Sequence, residues 1–205
     1  KKAHRAYVHF RDGVQSLKAY EQLLLRQDQE ISRFVAENQP QNCRFVIVLA
    51  DVRQTALVRQ TLDSIADQQY PDLLVALLGK ENKSTAEIID DKHYVTRFNQ
   101  LHDLRQALDK AESSTSYVMF LEAGDRLSGD CLGYLSRVLN EFGQPNVVYT
   151  DHDHRDKFDK PVNPQLKPDW NPDYFLSVNY IGRSVLFNTR VLQTEYSVFM
   201  GIYDD

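Results

Sequence analysis

The chain has 205 residues, a net charge of -5 at pH 7 and a pI near 5.7, enough length for one good core and no electrostatic footprint for nucleic acid. Its two cysteines, Cys43 and Cys131, lie far apart with no CxxC or Cys/His pattern, so neither a disulfide framework nor a zinc site is implied. No apolar run approaches the ~20 residues that span a bilayer, and Lys1-Lys2-Ala3-His4 opens no signal core, so a cytoplasmic setting is expected.

Val14, Leu17, Tyr20, Leu24, Ile31, Phe34 and Val35 recur at mostly three- and four-residue spacings and predict an amphipathic helix over 13–37. The polar break Asn38-Gln39-Pro40-Gln41-Asn42 ends it. Residues 44–50, a nearly continuous apolar run rich in branched side chains, read as a buried parallel strand. A helix over 55–69 follows, with Leu57, Val58, Leu62 and Ile65 on one face and Tyr70-Pro71-Asp72 closing it. The alternation then repeats: a strand over 73–78, a short helix over 85–91, a weak strand over 94–98, a helix over 100–112, a strand over 117–121, a helix over 129–142 and a fifth strand over 146–150. Alternation of this kind defines an α/β domain with a mostly parallel sheet, whose ligands sit outside the carboxyl ends of the strands. That rule puts residues 51–54, 79–84 and 122–125 at one rim, with Asp51, Glu81, Glu122 and Asp125 as its acids. The end of the fifth strand adds Asp151-His152-Asp153-His154.

Asp151 and Asp153 are one residue apart in extended chain, so both carboxylates reach one side and suit a hard cation, Mg²⁺ or Mn²⁺, bridging a diphosphate. The bland alternative is a solvated acidic loop. His152 and His154 occupy the alternate face, but a zinc site needs further convergent ligands that the sequence does not offer. Glu122-Ala123-Gly124-Asp125 either holds acids near a donor or is a plain strand-to-helix turn, with Gly124 supplying the unusual backbone angle and Asp125 near the next helix start. Lys167 is placed to pair with a phosphate. Trp170, the one tryptophan, and Tyr180 could stack on a base or sugar, although packing of the loop onto the core is the expectation for Trp170.

Three segments in order carry a resemblance: Tyr149-Thr150-Asp151-His152-Asp153; Leu166-Lys167-Pro168-Asp169-Trp170-Asn171-Pro172-Asp173; and Leu176-Ser177-Val178-Asn179-Tyr180-Ile181-Gly182. They resemble the Tyr-Ser-Asp-Glu-Asp, Phe-Lys-Pro-Asp-Trp-Ser-Pro-Asp and Leu-Ser-x-Asn-Tyr-Ile-Gly segments of rhamnosyltransferase-like and O-antigen or polysaccharide members of glycosyltransferase family 2. The helix end Ser64-Ile65-Ala66-Asp67-Gln68-Gln69-Tyr70-Pro71 is similar to that family's Ser-(Val/Ile)-x-x-Gln-x-Tyr-Pro. The chain departs from the family at two turns. Gly79-Lys80-Glu81-Asn82-Lys83-Ser84 stands where it has an Asp-Asp-Gly-Ser-like turn, and Leu121-Glu122-Ala123-Gly124-Asp125 stands where it has Leu-Asp-x-Asp-Asp.

The resemblance implies a GT-A, Rossmann-like fold, with residues 1–42 as a helical extension and 43–205 as a partial GT-A domain, truncated before its acceptor-side half. It implies transfer of a sugar from a nucleoside-diphosphate sugar to a hydroxyl of a glycan or lipid-linked acceptor, in bacterial polysaccharide or related synthesis. The intact protein would then be cytoplasmic and peripheral at the inner membrane. It assigns Asp51, Glu81, Glu122, Asp125, Asp151, Asp153 and Lys167 to the donor and Glu122 and Asp125 to a divalent metal, Mn²⁺ or Mg²⁺. The general base is expected beyond Asp205, so the piece alone is expected to be inactive. The altered turns also suit a non-catalytic binding module, and the Asp151–His154 cluster a metallohydrolase.

Overall fold

The computed structural model describes residues 17–38, 43–50, 52–79, 83–89, 92–99, 101–110 and 115–194. These fall into two compact units, one built from residues 31–148 and the stretch after 185, the other from the residues before 31 together with 149–185.

The elements in chain order are α1 (Leu17–Glu37), β1 (Cys43–Ala50), α2 (Thr55–Ala66), β2 (Leu73–Leu78), α3 (Lys83–Ile89), β3 (Val95–Phe98), α4 (Leu101–Lys110), β4 (Thr115–Glu122), α5 (Cys131–Glu141), β5 (Val147–Tyr149), β6 (His152–Arg155), β7 (Pro161–Gln165), α6 (Pro172–Ser177), β8 (Val185–Asn188) and α7 (Thr189–Thr194). The six-stranded sheet has the order β3-β2-β1-β4-β8-β5. Strands β3, β2, β1 and β4 run parallel, as the strand–helix alternation predicts, while β8 joins β4 antiparallel through Tyr117–Asn188, Val118–Phe187 and Met119–Leu186. The fifth predicted strand therefore does not adjoin the fourth, because a strand from much later in the chain inserts between them.

Phe45, Ile47, Leu49, Val58, Leu62, Ile65, Tyr117, Leu132 and Leu139 fill the main core on one face of the sheet. A smaller cluster of Val46, Val48, Ala76, Leu104 and Val118 covers the other face, so successive residues of β1 are buried on both sides. Each such aliphatic side chain contributes about 1.5–3 kcal/mol of transfer free energy. Within this larger unit, the last part of α1 lies on α5: Phe34 meets Tyr134 edge-on, with ring centroids 5.7 Å apart, and Arg137 donates to Asn38 at 3.1 Å.

Two predicted helices are shorter than their periodicity suggests. α2 stops at Ala66 because Gln69 takes a left-handed φ of 47° ahead of Tyr70-Pro71. α5 starts at Cys131 because Asp130 has a φ of 54°. The part of the first predicted helix before residue 17 lies outside the described residues. The sequence reading missed the antiparallel β6–β7 hairpin, α6, β8 and α7.

Candidate functional site

The parallel register sets Ala50 opposite Glu122, so the turn after β4 stands at the carboxyl rim of the sheet. This turn is tightly tied. The Asp125 amide donates to the Glu122 carbonyl at 3.0 Å, and the Glu122 amide donates to Asp125 Oδ2 at 2.9 Å. Gly124 sits at φ +103°, and its amide donates to Thr61 Oγ1 at 2.9 Å. The plain-turn reading of Gly124 is thus correct as to geometry. Asp125 spends one carboxylate oxygen on its own turn, and Glu122 is exposed.

α2 holds the segment that follows. Ser64 Oγ accepts from the Leu127 amide at 3.2 Å. Gln68 is buried, donates to the carbonyls of Ser64 (3.2 Å) and Ser128 (2.8 Å), and accepts from the Leu132 amide at 3.0 Å. That last bond satisfies an orphan donor in the first turn of α5, where Asp130 makes no side-chain cap. Tyr70 closes the motif by donating to the Cys43 carbonyl at 2.8 Å and packing edge-on against Phe45; desolvation pushes its pKa up to about 12. The Ser-x-x-x-Gln-x-Tyr-Pro motif therefore braces the rim from beneath. The resemblance marks Ser64 and Gln68, but the bracing by Thr61, Ser64 and Gln68 was not read from sequence, since their partners lie 60 or more residues away.

The smaller unit gathers Asp151, Asp153 and Lys167. Asp151 Oδ1 accepts from the Lys167 amide at 2.7 Å, and desolvation raises its pKa. Lys167 is buried, and its ammonium is turned inward onto the Ile181 carbonyl; desolvation lowers its pKa to about 8, opposed by Asp151. Asp153 Oδ2 accepts from the buried Tyr20 hydroxyl at 3.1 Å, and Arg155 lies 3.9 Å from its other oxygen. The Tyr20 pKa is raised by desolvation first, then by Asp153 and Asp151. His152 and His154 share a face with ring centroids 5.9 Å apart. His152 Nδ1 is buried without a partner, and its pKa is lowered by desolvation and then by Lys167.

Glu122 and Asp125 thus meet in the larger unit, and Asp151, Asp153 and Lys167 in the smaller, while Asp51 and Glu81 lie outside the described residues. Among the described residues, no group of three or more His, Cys, Asp or Glu side chains could hold a metal ion. The Asp151–His154 cluster is not such a group. Trp170 does not pack into the core: it is 57 % exposed and rests on Phe175 with ring centroids 5.4 Å apart. No helix among the described residues is long and apolar enough to cross a membrane.

The mostly parallel sheet flanked by helices, with an N-terminal helix, is a GT-A-like fold that the chain shares with solved glycosyltransferase structures. The chain is similar to S. aureus TarS 1-349 in complex with UDP, with a TM-score of 0.51 and 14% identity, covering 74% of this chain and 48% of that one. The same protein in complex with UDP-GlcNAc gives a TM-score of 0.50 and 13% identity, over 74% of this chain and 47% of that one. Among curated proteins, the uncharacterized protein y4gI of Sinorhizobium fredii (strain NBRC 101917 / NGR234) is 27% identical over 78 residues, 38% of this chain and 9% of that protein. The chain thus spans about half the length of the TarS structures and a small part of y4gI. No family model matches it.

Proposed function

We propose that residues 43–205 are the donor side of a nucleotide-sugar-dependent glycosyltransferase of family 2, in a protein that makes a bacterial polysaccharide or related glycan. The carrying observation is the GT-A fold with Glu122 and Asp125 at the carboxyl rim, and its likeness to TarS 1-349 in complex with UDP supports the nucleotide. In the reaction, an acceptor hydroxyl oxygen bonds to the anomeric carbon from the face opposite the diphosphate. The bond to the diphosphate oxygen breaks with its electron pair, and the configuration inverts. The acceptor proton passes to a general base.

Glu122 and Asp125 do not form a resident metal site by themselves. A Mn²⁺ or Mg²⁺ ion would be held there only together with diphosphate oxygens, as such ions commonly are, and would neutralise the leaving charge. What these residues do unaided is fix the turn that faces the donor. Asp151 and Asp153 are assigned to the sugar or acceptor side, with a glycan or lipid-linked acceptor as partner.

A second reading, a non-catalytic binding module, is favoured by the Asp125 carboxylate being committed to its own turn and by Gly124 standing where a second acid would be. Calorimetric titration of the chain with UDP, GDP and dTDP sugars, with and without Mn²⁺, separates the two. Metal-dependent affinity is expected for the enzyme. Metal-independent or absent binding sinks that reading in favour of the module.

A further inference from the structure

The smaller unit carries exposed aromatic side chains that the donor chemistry does not use. Trp170 is 57 % exposed and Tyr174 46 % exposed. Neither ring hangs loosely. Tyr174 stacks on Tyr180 with centroids 5.0 Å apart and planes within 13°, and Phe175 meets Tyr180 edge-on and supports Trp170. Tyr180 is itself pinned, since its hydroxyl accepts from the Asn171 amide at 3.0 Å. The result is a framework of rings whose outer faces are held open to solvent.

The surrounding charge narrows what such faces can take. Residues 168–182 contain two acids, Asp169 and Asp173, and no Lys or Arg. The two carboxylates favour a neutral over an anionic occupant of that segment, since binding to an anionic bilayer or a polyphosphate draws on basic side chains; of the flanking ones, Lys167 is buried and Arg183 exposed. A neutral sugar is different: its C–H faces match the negative ring faces, and its hydroxyls donate to exposed carboxylates such as Asp169 and Asp173. We propose that Trp170 and Tyr174 form a stacking platform for a neutral glycan. Its role as acceptor site rests on the glycosyltransferase reading, but the binding itself does not.

Trp170 is the only tryptophan in the chain, so its emission reports on this platform alone. The 205-residue chain, without nucleotide, is titrated with cellotetraose, chitotetraose and mannotetraose up to about 50 mM, a range that captures millimolar affinity. At least one is expected to give a saturable change in emission. Tyr174→Ala is expected to weaken that binding about five- to tenfold, the worth of one aromatic contact. Phe158→Ala, which removes an exposed ring from the β6–β7 turn, is expected to leave it unchanged. The proposal is overturned if none of the three sugars alters the emission, or if Tyr174→Ala binds as tightly as the parent. It is overturned equally if the emission responds only to anionic phosphatidylglycerol vesicles or only to protein concentration, which would mark a membrane or a second copy as the occupant. A chain that binds UDP but no tetrasaccharide sinks the platform alone, and the converse sinks the transferase reading alone.

Discussion

At Gly124 the backbone, rather than the space around it, limits what can be placed there. A Cβ built on this residue meets Leu57 Cδ2 at 3.5 Å, an ordinary contact, but the φ of +103° is one that side-chain-bearing residues rarely adopt. Gly124→Asp is therefore expected to cost about 1–2 kcal/mol in urea unfolding; an unchanged midpoint would show that the turn relaxes freely. Lys167 poses a titration problem instead. Burial lowers its pKa to about 8 from an ordinary 10.5, so between these values the unfolded chain holds a proton that the native protein has released. Stability contributed by this residue therefore rises with pH across that window, by about 1 kcal/mol per unit. Cys43 and Cys131, whose thiols burial pushes up to about 12 and about 11, act in the opposite direction at alkaline pH. The test is consequently a difference: unfolding free energies of the parent minus Lys167→Met should grow between pH 8 and 10. A flat difference would mean that the ammonium is not desolvated.

Among elements, α1 and α5 pack closely within the larger unit because α5 has a glycine where they touch. A Cβ at Gly133 would lie 2.9 Å from Val35 Cγ1, and a β-branched valine in a helix has no other comfortable rotamer. Gly133→Ala gains about 1 kcal/mol of helix propensity, yet is expected to lose more through overpacking and to destabilise by about 1 kcal/mol net. In a Val35→Ala background the same change should become stabilising, a sign reversal read from a double-mutant cycle. Independent effects would show that the helices slide apart at little cost. The elements also mark where the sequence was legible. β1 and β4 announced themselves because each is buried on both faces, so its residues had to be apolar in succession. β6, with the sequence HDHR, and β7, with PVNPQ, carry no alternating apolar face, and their hairpin is invisible to periodicity.

For the molecule as a whole, sheet class and helix order followed from local pattern, but the insertion of β8 beside β4 did not. That pairing joins residues about 70 apart and leaves no mark on either segment. The candidate site divides likewise: the places of Glu122, Asp125, Asp151 and Asp153 next to strands follow from the alternation of elements, whereas the bracing by Thr61, Ser64 and Gln68 depends on contacts between distant parts of the chain. The smaller unit is also non-local, since it combines the start of α1 with residues 149–185, and Tyr20, only 5 % exposed, bonds Asp153. A two-stranded hairpin is marginal without something to pack on. A chain beginning at residue 31 is thus expected to lose amide hydrogen-exchange protection in β6 and β7 while β1 and β4 keep theirs. Retained protection in the hairpin would make the start of α1 dispensable.

The turn after β4 bears on how readily this rim could gain a second acid. Every glycine codon lies one nucleotide from a codon for aspartate or glutamate, so the genetic route to a second acid at position 124 is as short as a route can be. The obstacle is conformational: with the amide of Gly124 bonded to Thr61 and its φ at +103°, a carboxylate there is disfavoured until the turn itself is rebuilt. Gaining a second acid on this rim would then require coordinated changes in the turn and in α2.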